Sequence, residues 1–312
     1  MYNFEVAFLS AFIQVAVLFI LIVAGYVSRK IGVLDLEITR GFSRFIVNVS
    51  LPALAIASLQ IDFSRERFTD AVLMFCIMVG CYLLYAVFAW LVPKILRAER
   101  RDAAVYRYLM VFSNTGFMGY PVLEAFFGRE AVFYGVIFNI PYPLLTFTVG
   151  IGFMIFASGQ PGEKRKIPWK NPGVLASLIA FILFLMPFRL PVILGRPIEM
   201  LGGLTTPLSM LVIGSLLTHL RIAELWKGIA VHAGVCVRLA LIPLAVLGVL
   251  KALGFSGYLL GVPVLLSAMP AAASMSILAD QFGGNEELAS RLVFLSTLFS
   301  VFTLPLFALL VR

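Results

Sequence analysis

Ser113-Asn114-Thr115-Gly116-Phe117-Met118-Gly119-Tyr120-Pro121 lies in the middle of an apolar run long enough to cross a membrane, yet it carries a proline, two glycines, an asparagine and a threonine. Backbone groups freed from a helix inside hydrocarbon are costly, so such a break persists only where protein or a water-filled cavity surrounds it. A second interruption, Ser267-Ala268-Met269-Pro270, falls in the other half of the chain. Interrupted spans at corresponding places in two halves are the sequence mark of a transporter binding site.

The surrounding composition agrees. The 312 residues are 61% hydrophobic and 13% charged, with a mean hydropathy of +1.02, whereas soluble domains are about half apolar and about a quarter charged. Apolar runs of about 20 residues suit helices crossing roughly 30 Å of hydrocarbon, not the short alternating strands of a barrel. The fold class is therefore an all-α polytopic membrane protein. Val6 to Tyr26 has no basic residue ahead of it and no small-residue cleavage signal behind it, so it reads as a retained span. Cys76, Cys81 and Cys236 all sit in apolar runs, where they act as small hydrophobes and not as a disulfide or metal framework. The net charge of +8 is spread over short loops, a topology signal that argues against a nucleic-acid partner. No cofactor is called for, and the expected partners are the lipid bilayer and a substrate.

Ten spans can be placed, near 5–28, 41–60, 68–92, 104–127, 131–157, 172–190, 198–219, 228–250, 257–280 and 288–311. One alternating set of loops holds 16 of the 24 basic residues, from Arg29 to Arg291; the other set and the C-terminus hold 7, and Arg238 lies inside a span. The positive-inside rule puts the first set in the cytoplasm of a plasma-membrane protein, with both termini outside. A linker at 158–171 divides the chain into 1–157 and 172–312, five spans each. An odd-numbered repeat must insert its second copy upside down, which gives two inverted repeats. The halves share punctuation: a break in each fourth span, proline in each fifth (Pro141 and Pro143; Pro305) and proline in each second (Pro52; Pro207).

Asn114-Thr115-x-x-Met118-Gly119-x-Pro121-x-Leu123 resembles the auxin efflux carrier family, whose plant members carry the same spacing in their fourth span. Leu51-Pro52, Asn171-Pro172, Pro207-Leu208 with Gly214, Met269-Pro270 and Thr303-Leu304-Pro305-Leu306 extend the resemblance over nearly the whole chain. The middle loop of only 14 residues, 158–171, is that of a compact, prokaryotic-type member. The resemblance implies a scaffold from spans 1, 2, 6 and 7, a transport domain from spans 3–5 and 8–10, and broken helices 4 and 9 crossing at Pro121 and Pro270. Substrate would lie between that crossing and the scaffold. It further implies an elevator-like carrier of a small organic anion: indole acetate in plants, dicarboxylates such as malate and malonate in bacteria. A homodimer through scaffold helices is a further expectation.

Residue chemistry narrows the site. Asn114 offers two donors and an acceptor just before a restarted half-helix, whose N-terminus attracts anions without a basic side chain. Asn114, Thr115 and Gly116 either touch substrate or satisfy the broken backbone, and Gly119 and Pro121 belong to the break. Ser267, Pro270, Ala271 and Ser274 form the facing small-residue surface, whose serines can hold substrate or bond between helices. Asn48 and Asn139 precede Pro52 and Pro141, as kink caps or further contacts. Arg238 sits near mid-depth, where arginine is costly. It either attracts the anion or, the reading preferred here, neutralises the C-terminal ends of the crossed half-helices.

Other classes fare worse. Glu5, Glu124 and Asp280 lie near span ends, so the mid-depth carboxylates of a cation antiporter are missing. His219 and His232, 13 residues apart, make no helical metal pair, and no catalytic constellation points to an enzyme. A sodium-coupled symporter of the bile-acid carrier type and a non-transporting sensor of the same ligand are the alternatives.

Overall fold

The computed structural model describes residues 2–58, 64–158, 190–216, 218, 228–272 and 274–311. The described residues are almost wholly helical. The helices are α1 (Tyr2–Lys30), α2 (Leu36–Phe45), α3 (Leu51–Ser58), α4 (Arg65–Ile95), α5 (Arg100–Val111), α6 (Tyr120–Phe127), α7 (Arg129–Phe138), α8 (Tyr142–Leu145) and α9 (Ile151–Ser158). After 190 come α10 (Val192–Gly203), α11 (Thr205–Leu216), α12 (Ile229–Cys236), α13 (Ile242–Ala252), α14 (Gly257–Ser267), α15 (Ser274–Phe282) and α16 (Glu286–Leu310). Linker residues 159–171 and the sixth-span residues 172–189, with Asn171-Pro172, lie outside the described residues, as does His219.

Among the described residues, four stretches are long and apolar enough to cross a membrane by length and composition: Arg67–Ile95, Val192–Leu216, Ile229–Ala252 and Glu286–Leu310. The chain is thus a multi-pass membrane protein. The seventh-span helix begins six residues before the expected 198, because Pro191 occupies the position ahead of the first turn and fixes the start at Val192. Pro305 does not break its helix, which runs unbroken from Glu286 to Leu310.

Wide π-helical turns occur at Ile46–Ser50, Thr115–Gly119 and Thr146–Gly150, and a further one, Val237–Leu241, lies inside the Ile229–Ala252 stretch. One extra residue per turn shifts the register of the hydrogen-bond ladder, which in helices frequently marks a functional position. Three of these turns hold expected site residues: Ile46–Ser50 contains Asn48, Thr115–Gly119 follows Asn114 and contains Thr115, Gly116 and Gly119, and Val237–Leu241 contains Arg238.

The chain gathers into two compact units. The first is drawn from Met1–Cys76, Thr115–Pro141 and Lys170–His219, the second from Ile77–Asn114, Tyr142–Trp169 and Leu220–Arg312. In the first unit α1 and α11 lie backbone to backbone. A Cβ on Gly214 would overlap the Ile22 carbonyl oxygen, and one on Gly25 the Leu211 carbonyl oxygen, so glycine is what permits this small-residue helix packing. Hydroxyl pairs add polar links, Thr39 to Ser215 at 2.6 Å and Ser50 to Thr205. At one end of this unit Arg67 pairs with Glu130 at 3.1 Å, and Arg129 with Glu199 at 3.3 Å.

The second unit is built on the buried faces of α5, α12, α14 and α16, where Leu109, Met110, Val264, Leu265, Leu292 and Leu295 are fully buried. Asn285 caps α16 by accepting from the Leu288 N–H at 3.1 Å, and its amide donates to Asp102 at 2.8 Å. This rigid packing fixes where two of the helices stop.

Candidate functional site

Helix α5 ends at Val111, and Phe112, Ser113 and Asn114 are non-helical before the chain winds again at Thr115. Helix α14 ends at Ser267 in the same way, and helix resumes at Ser274. The two non-helical segments pair as the one antiparallel bridge among the described residues, Ser113 opposite Ala271. Asn114 N–H donates to the Pro270 carbonyl at 2.8 Å, and Ala272 N–H to the Phe112 carbonyl at 3.4 Å.

The non-helical gap therefore lies at 112–114, at the front of the Ser113–Pro121 stretch, and not at Gly119 and Pro121, the expected break residues, the second of which the resemblance made the crossing point. Pro121 sits in the first turn of α6, fully inside helical geometry, and Gly119 has ordinary helical dihedrals. The chain is already wound through Thr115–Gly119 when it reaches Pro121, and the wide turn there, with its shifted hydrogen-bond register, lets the helix take up a proline without opening. Pro270 differs, because it stands within the non-helical segment and supplies a carbonyl to the bridge.

Side chains then close the remaining valences of both segments. Ser113 Oγ donates to the Leu266 carbonyl at 3.1 Å, and the Tyr142 hydroxyl donates to the Ser113 carbonyl at 2.9 Å. Ala271 N–H donates to Ser296 Oγ at 3.0 Å. Ser267 Oγ turns back onto the Val264 carbonyl at 2.7 Å, and Ser274 lies 3.2 Å from the Tyr108 hydroxyl. Tyr142 and Ser296 were not singled out from sequence. Tyr142 adjoins Pro141 and could have been suspected, but Ser296 is one serine among several in an ordinary apolar helix.

Arg238 is wholly buried. Its Nη2 donates to the Ser267 carbonyl at 2.8 Å, its Nε to Met269 at 3.1 Å and its Nη1 to Met110 at 3.1 Å. Met110 and Ser267 are in the last turns of α5 and α14, where carbonyls lack intrahelical partners and the helix dipole is negative. One guanidinium, with its fork of five donors, thus serves two helix ends and one break. The Tyr85 ring lies 5.9 Å from the guanidinium carbon.

Other expected residues are less engaged. Asn114 is 4% exposed, and its side-chain amide has no hydrogen-bond partner among the described residues. Thr115 Oγ1 and both amide atoms of Asn139 are buried without a partner. Gly116 is half-buried and Pro121 buried. Asn48 is exposed, and its amide donates one turn back to the Arg44 carbonyl at 2.7 Å, so it is a local helix link within the wide turn Ile46–Ser50 before Pro52.

Comparison with known proteins gives concordant matches. The model of a family described as membrane transport protein matches residues 10–169 and 164–308. An "Uncharacterized transporter" of Methanothermobacter thermautotrophicus is 27% identical over 291 residues, 93% of this chain and 94% of that one. "Uncharacterized transporter YfdV" of Escherichia coli K12 is 26% identical over 302 residues, 92% and 93% of the two chains. A Rhizobium meliloti protein named "Putative malonate transporter" is 24% identical over 310 residues, 94% and 93% of the two chains.

Proposed function

We propose, because this chain belongs to the membrane transport protein family, that it carries a small organic anion, a mono- or dicarboxylate, across the cytoplasmic membrane. The family is the auxin-efflux-like group that the Asn114-Thr115 motif resembles. Alternating access would proceed by an elevator-like movement of spans 3–5 and 8–10 against spans 1, 2, 6 and 7, within two inverted five-helix repeats. Support for the repeat comes from matching local chemistry: Ser50-Leu51-Pro52 and Thr205-Thr206-Pro207 each put a hydroxyl two residues before a proline, and those two hydroxyls bond each other.

One observation carries the anion reading. Arg238 donates to three carbonyls, while Asn114, a residue only 4% exposed whose side chain makes no hydrogen bond among the described residues, stands directly before a restarting helix. The first N–H groups of that helix follow a non-helical segment and so have no carbonyl a turn behind them. Amide donors and a helix N-terminus together suit a carboxylate. Arg238 offsets the negative C-terminal ends of α5 and α14, so those ends do not repel an anion. The name of the Rhizobium relative points to a dicarboxylate of three carbons as the first substrate to try.

The deciding measurement is flux of labelled malonate, malate and monocarboxylates into proteoliposomes holding the purified chain, with and without sodium and at imposed membrane potential. Saturable flux of one carboxylate is expected. Absence of flux and of binding for every organic anion tested would overturn the reading.

A further inference from the structure

Besides the crossed breaks, the second unit holds a groove of about 360 Å³ between α4, α5 and the α8–α9 segment. Its walls are helical stripes: Ala86 and Trp90 from α4, Arg107 and Val111 from α5, Val149 and Phe153 from the last. Ala86 and Ala89 are the small residues that leave the space open. The outer face of α4 beside it is strongly apolar and exposed, with Leu83 65%, Val87 51% and Trp90 59% accessible. Because α4 contains a membrane-length apolar stretch, that face meets acyl chains, and the groove is continuous with it.

The lining has one charged member. Arg107 is half-buried among apolar side chains, and no carboxylate lies within ion-pair distance of it among the described residues. More positive charge stands at the same rim. Lys94 Nζ lies 3.5 Å from the centre of the Trp90 ring, and the Arg100 guanidinium 5.7 Å from that of Phe156, one turn beyond Phe153. An apolar slot with three cations at its edge is complementary to a long hydrocarbon chain ending in a negative headgroup. A soluble carboxylate would leave most of the apolar wall unmatched, and a zwitterionic lipid would bring a cation to a cationic rim.

We infer that this groove seats an acyl chain of an anionic phospholipid, with its phosphate at Arg107 and Lys94 and Arg100 adding long-range attraction. The seat adjoins the crossing through Phe112, which lines the groove with its ring and accepts from Ala272 with its carbonyl. Lipid occupancy therefore stiffens the non-helical segment at 112–114. This inference stands whether or not the cargo is an organic anion.

The test uses the purified full chain in phosphatidylcholine nanodiscs, its melting followed as phosphatidylglycerol replaces a growing share of the lipid. Phosphatidylglycerol raises the melting midpoint saturably. In Arg107→Gln the half-saturating fraction rises about fivefold, the equivalent of about 1 kcal/mol of headgroup attraction per basic residue. Ala86→Trp, which fills the groove from an exposed position, abolishes the response while melting in pure phosphatidylcholine as the parent does. An unchanged midpoint, an unchanged response in Arg107→Gln, or the same rise from water-soluble glycerol phosphate would each overturn the inference.

Discussion

The Asn114 N–H donates to the Pro270 carbonyl at 2.8 Å, and Pro270, having no N–H, gives nothing back at that position. The return bond comes two residues on, from Ala272 N–H to the Phe112 carbonyl. Ser113 and Ala271 are thus a non-hydrogen-bonded pair of a minimal antiparallel ladder. Their outward-facing groups are taken by Tyr142 and Ser296. A two-bond ladder holds two helix ends together at membrane depth while leaving the Asn114 side chain uncommitted.

Asn114→Ala keeps the backbone bond to Pro270 and deletes only the free amide. Transport should fall roughly tenfold or more, since a hydrogen bond to a charged group is worth about 1.5–3 kcal/mol. The melting temperature should hold, because the side chain removed makes no hydrogen bond among the described residues while the backbone bond to Pro270 is kept. Flux and melting measured on one preparation check this; unchanged flux would remove Asn114 from the site.

Arg238→Ala leaves carbonyls of Met110, Ser267 and Met269 buried without a donor. Each lost partner costs about 1–3 kcal/mol, so the variant should not yield a folded monodisperse protein. Arg238→Lys keeps the charge but lacks the planar fork, and should restore expression in part. Size-exclusion profiles of fluorescent fusions report this. A well-folded Arg238→Ala with only weakened substrate affinity would make Arg238 a ligand residue instead.

Tyr142→Phe removes a single donor to the Ser113 carbonyl and preserves the edge-on ring contact with Phe112, 5.9 Å between centres. A loss of about 1 kcal/mol in stability is expected. Hydrogen exchange in the Phe112–Asn114 segment should quicken more than exchange in α7, and uniform quickening would argue against a local role.

How much of this was legible beforehand depended on how local each cause was. The membrane class, the place of Pro270 and the interest of Asn114 follow from composition and from residues that act within a few positions of themselves. The crossing was expected at Pro121 because the family resemblance implied it, yet the surrounding turn decides what a proline does, and Pro121 follows directly on the wide turn Thr115–Gly119. Pro305 teaches the same from the other side, sitting inside an unbroken helix. The actual break at 112–114 is held by Ala272, Leu266, Tyr142 and Pro270, whose groups come from 29 to 160 residues away, and no short window of sequence contains them. Arg238 was visible as an anomaly because charge in a span is rare, but its three carbonyl partners were not.

Gly214→Ala should lower stability by about 1–3 kcal/mol or more, the range for forcing atoms into a filled core, because its Cβ would overlap the Ile22 carbonyl. Gly248→Ala is the matched control: α13 surrounds it with open space within 4 Å, and alanine is favoured over glycine in a helix interior by about 0.5–1 kcal/mol. Thermal melts in detergent should separate the two variants in opposite directions. Equal effects would mean that helix propensity, not the approach of α1 to α11, governs stability here.

The Ser50–Thr205 hydroxyl pair admits a sharper test, since both groups are fully buried and each lies two residues before a proline. Ser50→Ala strands the Thr205 hydroxyl, and Thr205→Val strands that of Ser50, so each single variant carries a buried unsatisfied group. The double variant carries none. A double-mutant cycle should therefore give a coupling of about 0.6 kcal/mol, and up to about 1.7 kcal/mol if the membrane interior excludes water well. Mutual exchange, Ser50→Thr with Thr205→Ser, should be tolerated if the two positions are structural counterparts in inverted halves, because each hydroxyl then meets the chemistry its counterpart already accommodates. A coupling near zero together with an exchange variant that does not fold would show two unrelated environments that merely touch, and would take away the pair as support for the repeat.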